Sequence, residues 1–349
     1  MALPKSFGKN PQGADLEKIR KSSLYHQKGF ENMTETRMLS DDASYTKMIR
    51  DFLFSKPKNT VPANKVPVVV TDLKKLSQLS SQNPVLIWFG HSSYLIYLQG
   101  LHILVDPVFS GHASPFSFTT KSFPGSNPYT ADDLPEIDLL ILTHDHYDHL
   151  DFETVMKLNN KTKLVCTSLG VGSHLRFWGW DEKKIIEFEW GDRKSFENGL
   201  SLTCATARHF SGRTFTRNKT LWSSFILETV PYKFYIGGDS GYDVHFKQIG
   251  EAYGPFDLVM LESGQYNPAW PNIHMMPEET VKAAVDLKAK ILLPVHWGKF
   301  SLALHPWNEP IQRILVAART LHQPVTTPMI GEPVILNEVY PHQNWWKED

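Results

Sequence analysis

The sequence predicts an α/β (α+β) chain: a sandwich of β-sheets with helices outside and an N-terminal extension. Strand-like apolar runs come first as a tight meander between Val85 and Val105, then alternate with helical patterns. That order favours a sandwich over a simple doubly wound sheet. A third observation is chemical: several of the runs end in His or Asp. The 349 residues suffice for one large domain with an extension, and 41% hydrophobic with 21% charged residues is a soluble, globular composition. A formal net charge of -1 supplies no bulk field for nucleic acid, and no basic patch carries interleaved aromatics, so no nucleic-acid partner is expected.

Residues 1-83 read as an extension packed on the core, too poor in apolar clusters to form a core of their own. Within it a short helix is expected over Tyr45–Phe54, and Thr71-Asp72 is expected to cap a helix through Leu73, Leu76 and Leu79. The main domain, 84-325, opens with strands at Val85–Phe89, Tyr94–Leu98 and His102–Val105, joined by Gly90-His91-Ser92-Ser93 and Gln99-Gly100. A long loop, Phe109–Tyr129, holds Phe116, Phe118 and Phe123, one Lys121 and no acidic residue. Further strands are expected at Asp138–Leu142, Lys163–Thr167, Leu202–Ala207, Trp222–Glu228, Lys233–Gly237, Asp257–Leu261 and Lys290–Pro294. Helices are expected at Phe152–Leu158, from Pro277 with Glu278 and Glu279 in its first turn, and at Ile311–Ala318. The aromatic tail, within 326-349, is expected to pack on the core.

Cys166 and Cys204 lie inside strand-like runs, and no CxxC is present, so two buried thiols in a reducing compartment are expected. The N-terminus has no apolar h-region, and no apolar run reaches the ~18 residues of a membrane span. A cytoplasmic protein is expected, with peripheral membrane contact left open.

The densest chemistry is Thr143-His144-Asp145-His146-Tyr147-Asp148-His149, directly after the apolar run Asp138–Leu142. Imidazole and carboxylate are the ligands of zinc and its neighbours. Ligands sit best at strand ends, on rigid supports. Three later runs meet that condition, being followed by His209, Asp239 and His296. With His144, His146, Asp148 and His149 these make seven ligands, more than the four or so that one metal needs and enough for two if one carboxylate bridges.

The pattern resembles the metallo-β-lactamase superfamily, whose αβ/βα sandwich has four layers and a dinuclear site at the sheet edges. The resemblance implies that His144, His146 and His209 hold one metal, that Asp148, His149 and His296 hold the other, and that Asp239 bridges. It implies two zinc ions, although iron and manganese suit the same donors. Trp88–Ser92, Asp106–Ser110, Ala113–Pro115, Leu134–Asp138, His146–Asp151, Gly238–Tyr242, Tyr253–Leu258 and His296–Phe300 narrow the resemblance to the N-acylphosphatidylethanolamine phospholipase D family, over roughly residues 84-325. One departure is Asn267-Pro268-Ala269-Trp270, where that family commonly has Glu-Pro-Arg-Trp. The missing Arg puts the physiological substrate, though not the fold, in question.

The resemblance implies a phosphodiesterase of phospholipase D type, in which a metal-bound hydroxide attacks phosphorus in line and an alcohol departs. Asp148 and Asp239 belong to that catalytic centre. Summed formal charges leave the site about +1, which suits an anionic small-molecule or phospholipid phosphodiester. His274 lies where the family has a histidine near the phosphate; phosphate contact, general acid and plain exposed loop residue are all open. His91 and Asp106 are expected to orient ligands indirectly, or, for His91, simply to sit satisfied in the core. His102, His112, His174, His245 and His305 are expected not to be ligands, and Tyr147 to pack. The aromatic loop is either a lid for acyl chains or a cap on the protein's own body. Two other readings stand: a lactonase or ester hydrolase resembling the ascorbate-6-phosphate lactonase branch, and a non-catalytic metal-binding protein. The resemblance also implies a homodimer.

Overall fold

The computed structural model describes residues 4–40, 46, 50, 57–80, 82–196 and 199–347. The helix expected over Tyr45–Phe54 lies outside the described residues but for Thr46 and Arg50. In the extension, β1 (Tyr25–His26) and β2 (Gly29–Phe30) form a small hairpin. A first large sheet contains β3 (Val85–Trp88), β4 (Tyr94–Leu98), β5 (Leu101–Val105), β6 (Ile137–Leu142), β7 (Thr162–Ser168) and β8 (Ile185–Phe188). A second contains β9 (Arg193–Ser195), β10 (Ser201–Ala205), β11 (Ser224–Glu228), β12 (Lys233–Ile236), β13 (Leu258–Glu262) and β14 (Leu292–Val295). The tail returns as β15 (Pro333–Ile335), antiparallel to β3 at the edge of the first sheet.

Strand alternation sorts the apolar side chains. Leu86, Trp88, Tyr94, Ile96, Ile103, Val105 and Ile141 join Leu202, Phe225, Leu227 and Phe234 in the core that includes both sheets. Val85, Ile87, Leu95, Leu104, Leu140 and Leu142 point the other way, onto Val155 and Leu158 of helix Phe152–Leu158, Leu175 of helix Gly172–Phe177 and Val171 just before it. Helices Pro277–Asp286 and Glu309–Thr320 cover the outer face of the second sheet through Val281, Ala284, Ile311 and Ile314. The result is the expected four-layer αβ/βα sandwich. Each such side chain, fully buried, contributes ~1.5–3 kcal/mol of transfer free energy.

Strand directions decide where chemistry can gather. β3 and β5 both run antiparallel to β4, while β6 and β7 continue parallel to β5. In the second sheet β10 and β12 both run antiparallel to β11, while β13 and β14 continue parallel to β12. Within each sheet, therefore, the strands that precede the candidate residues all finish on one edge. Crevices at the carboxyl ends of parallel strands are where open α/β sheets bind ligands.

Some local expectations needed correction. The segment after Asp72 is a 3-10 helix, Leu73–Gln78, with a kink at Lys75. The tail does pack on the body, with Trp346 1% exposed. Cys166 and Cys204 are free and buried, and burial pushes both thiols upward, which makes them inert. Among the described residues no helix is long and apolar enough to cross a membrane.

Candidate metal centre

The seven residues singled out in the sequence all converge at this edge. His144 and His146 leave the end of β6, His209 and Asp239 follow β10 and β12, and His296 directly follows β14. His144 Nε2 lies 2.9 Å from His146 Nδ1, and His209 Nε2 lies 3.3 Å from the same atom. Asp239 Oδ2 closes this group at 3.9 Å from His144 Nε2 and 3.8 Å from His209 Nε2. Its other oxygen, Oδ1, lies 3.2 Å from His149 Nε2 and 3.2 Å from His296 Nδ1. Asp148 Oδ2 sits 3.6 Å from His149 Nε2 and 3.9 Å from His296 Nε2. One carboxylate thus stands between two groups of donors.

The outward nitrogens of the His149, His209 and His144 rings are held, and Ser92 adds a contact to His296. Asp106 Oδ2 accepts from His149 Nδ1 at 2.8 Å, and the Ile273 carbonyl accepts from His209 Nδ1 at 2.8 Å. Thr143 Oγ1 lies 3.0 Å from His144 Nδ1, and Ser92 Oγ lies 2.9 Å from His296 Nδ1. A carbonyl can only accept, so His209 carries its proton on Nδ1 and turns the lone pair of neutral Nε2 inward. This is how a protein prepares imidazole for a metal. His91 Nε2 is 2.9 Å from Asp148 Oδ2, so His91 orients a carboxylate. His91, Asp106 and His296 all adopt positive φ, the strained region that clusters at functional sites. Gly264 is required for close approach: a Cβ there would run into the His296 carbonyl.

The electrostatics fit a cation. Burial drives His144, His209 and His296 well below the usual imidazole range, so they are neutral near pH 7. Burial alone would do the same to His149. The carboxylates of Asp239, Asp148 and Asp106 outweigh it and raise His149 well above that range. The pocket therefore favours positive charge. His149 Nε2, Asp239 Oδ1 and His296 Nε2 are buried atoms without a hydrogen-bond partner. Such atoms are costly unless something coordinates them, and a metal ion would. Both observations say that the residues present fit metal ions.

His274 is 13% exposed in its side chain, which removes the plain exposed-loop alternative. It lines a cleft of ≈ 240 Å³ with His146, Asp148, Phe210, Asp239, Trp270 and Leu302. Its Nδ1 lies 3.5 Å from Glu262 Oε1. Burial works against charge on His274, but Glu262 and then Asp239 and Asp148 raise it overall. Glu262 was missed in the sequence although it ends β13, at the same kind of strand end as the candidate donors.

Other histidines have ordinary partners: His174 bonds buried Asp145 at 3.2 Å, and His112 faces Glu153 at 3.5 Å. Tyr147 packs as expected, its hydroxyl on the Arg213 carbonyl at 2.5 Å and its ring under the Arg213 guanidinium. In the aromatic loop Phe123 is buried, whereas Phe116 and Phe118 stack on each other and are 45% and 73% exposed.

Residues 102–297 match the family model of the beta-lactamase superfamily domain. An uncharacterised protein of Mycobacterium tuberculosis is 38% identical over 345 residues, 96% of this chain and 91% of its own. The N-acyl-phosphatidylethanolamine-hydrolyzing phospholipase D 1 of Caenorhabditis elegans is 34% identical over 229 residues, 62% of this chain and 64% of the worm protein. Among solved structures, Igni18, a metallo hydrolase of Ignicoccus hospitalis, superposes with a TM-score of 0.58 over 74% of this chain and 100% of that one, at 20% identity, a likeness of fold. The matched domain includes all seven residues singled out in the sequence and more than half of the chain, which therefore belongs to the metallo-β-lactamase superfamily, among its metal-dependent hydrolases.

Proposed function

We propose that the protein is a dinuclear zinc phosphodiesterase of phospholipase D type, acting on N-acylphosphatidylethanolamine-like or related phosphodiesters. The observation that carries the dinuclear reading is Asp239, with Oδ2 toward His144 and His209 and Oδ1 toward His149 and His296. These seven residues would hold the metal ions, which would supply Lewis acidity and lower the pKa of a water from 15.7 toward about 7.

The chain's own residues supply the rest. Asp148 and Asp239 fix the donor geometry and leave the loaded centre with a small positive charge, which attracts a phosphodiester and gives a neutral lactone less. His274, raised toward its charged form by Glu262, faces the same cleft and is our candidate for contact with the phosphoryl group or for proton delivery to the departing alkoxide. Phe210, Trp270, Ile273 and Leu302 make the cleft walls apolar, suitable for an acyl or glycerol portion. Exposed Phe116 and Phe118 support peripheral contact with a phospholipid surface. The similarity to the worm phospholipase D supports the same substrate class.

The test is a paired assay on zinc-loaded protein with Asp239→Asn as control. One arm offers bis(p-nitrophenyl) phosphate and N-acylphosphatidylethanolamine vesicles, the other a lactone panel. Metal-dependent diester cleavage without lactone turnover is expected. Lactone turnover alone would overturn the phosphodiesterase reading, and silence in both arms with two metals bound would overturn catalysis.

A further inference from the structure

We infer that the N-terminal segment Asn32–Ser40 is a built-in strap of the metal centre and that Asn32 is the positioning residue for His209. Asn32 grips the backbone of His209 on both sides: Oδ1 accepts the His209 N–H at 3.1 Å, and Nδ2 donates to the His209 carbonyl at 2.8 Å. The Trp222 indole N–H, donating to the same Oδ1 at 2.9 Å, fixes the amide's orientation. The two residues are separated by 177 positions in sequence, so the clamp is a tertiary contact.

The strap continues past His209. The Arg208 guanidinium donates to Thr36 Oγ1 at 3.0 Å and to the Glu35 carbonyl at 3.1 Å. Further along, the Ser40 N–H donates to the Ala269 carbonyl at 2.9 Å, and Asn272 Nδ2 to the Arg37 carbonyl at 3.1 Å. Segment 269–273 is the one whose Ile273 carbonyl holds the His209 ring, at 2.8 Å. The strap therefore ties the loop that carries His209 to the loop that aims its imidazole. With its backbone clamped and its Nδ1 held, His209 keeps one direction for Nε2, and small angular errors there are what weaken a metal site.

This inference rests on His209 being a metal ligand, and the experiment separates the two claims. Zinc affinity and stoichiometry are measured by chelator competition on the full chain for wild type, Asn32→Ala, Asn32→Asp and His209→Ala, with far-ultraviolet circular dichroism as the check on folding. Asn32→Ala is expected to bind one of two zinc ions about 10–100-fold more weakly and the other unchanged. Asn32→Asp, which keeps both accepted bonds but sets a carboxylate oxygen against the His209 carbonyl in place of the donated one, is expected to weaken the same ion, and it decides the matter should the alanine variant fail to fold. A visible-spectrum shift of cobalt-loaded Asn32→Ala, absent for the core truncation Ile314→Val in helix Glu309–Thr320, would place the change at the metal rather than in general stability. Folded Asn32 variants with wild-type affinity for both ions would overturn the strap. His209→Ala with both ions at wild-type affinity would overturn the ligand assignment beneath it.

Discussion

Asp106 and His149 form an enclosed pair, with Oδ2 2.8 Å from Nδ1 and both side chains at most 1% exposed. Asp106 also accepts the Thr143 N–H at 2.9 Å and the Thr143 hydroxyl at 2.7 Å, which joins the ends of β5 and β6. Asp106→Asn keeps the shape and removes the charge. The expected outcome is 10–100-fold weaker binding of the ion assigned to His149, with the other ion unchanged. Chelator competition measures it, and equal affinities for both ions in variant and wild type would refute the role.

Asp239→Asn should be harsher, because one side chain serves both donor groups. The amide retains one oxygen and turns an N–H₂ toward the other set. We expect one ion lost or loosened at equilibrium, seen by elemental analysis, and turnover reduced on the order of 100-fold or more. A variant with two tightly held ions and near wild-type turnover would show that the carboxylate is not shared.

These positions were readable in the sequence because each follows an apolar run, and strand direction turns sequence-separated ends into one edge. His209 stands four residues beyond β10 and His296 one beyond β14, so the signal survives modest errors in strand boundaries. The same logic extends to Glu262, which directly follows the expected strand Asp257–Leu261 but is a glutamate, whereas the pattern of donors was one of His and Asp. Asn32 had no signal: its role comes from a tertiary contact, and a lone Asn in a polar extension looks like any loop residue. β8, β9 and β15 were missed for physical reasons too. β9 is three exposed residues, Arg193–Ser195, held by pairing with β10, and β15 is three residues beginning at Pro333. The alternation is too short there to register.

His274 allows a sharper test than loss of activity. His274→Ala is expected to lower kcat by ~10²–10⁴ if it delivers a proton, while both metals stay bound. His274→Gln keeps a hydrogen-bond donor but cannot transfer a proton. Restoration of kcat by Gln would assign phosphate contact, and failure of Gln to restore it would assign the acid. Full activity of the alanine variant would remove His274 from the mechanism.

Phe116 and Phe118 bear on the lipid surface. Their exposed stack is joined to the N-terminal segment through Phe7, whose ring centroid is 6.0 Å from that of Phe116. Changing both to Ser should weaken sedimentation with phospholipid vesicles and slow vesicle hydrolysis, while hydrolysis of soluble bis(p-nitrophenyl) phosphate stays near wild type. Equal losses on both substrates would mean that the loop is structural.

Lys299 gives a prediction about stability rather than chemistry. Its ammonium is fully buried, donating to the Val108 carbonyl at 2.8 Å and the Phe89 carbonyl at 3.2 Å, between the rings of Phe109 and Phe300. Burial lowers its pKa from 10.5 to about 7. The folded protein therefore releases this proton near pH 7, while the unfolded chain keeps it until about pH 10.4. Within that window the unfolded state binds more protons, so the Lys299 contribution to stability rises with pH by up to ~1.4 kcal/mol per pH unit. Below the window both states are protonated and the burial penalty is constant. Lys299→Met abolishes this slope while leaving other titrations common to both proteins. The wild-type minus variant unfolding free energy, from urea midpoints between about pH 6 and about pH 9, should be flat at first and then climb. A difference that stays flat across the whole range would mean that Lys299 keeps its proton in the folded state.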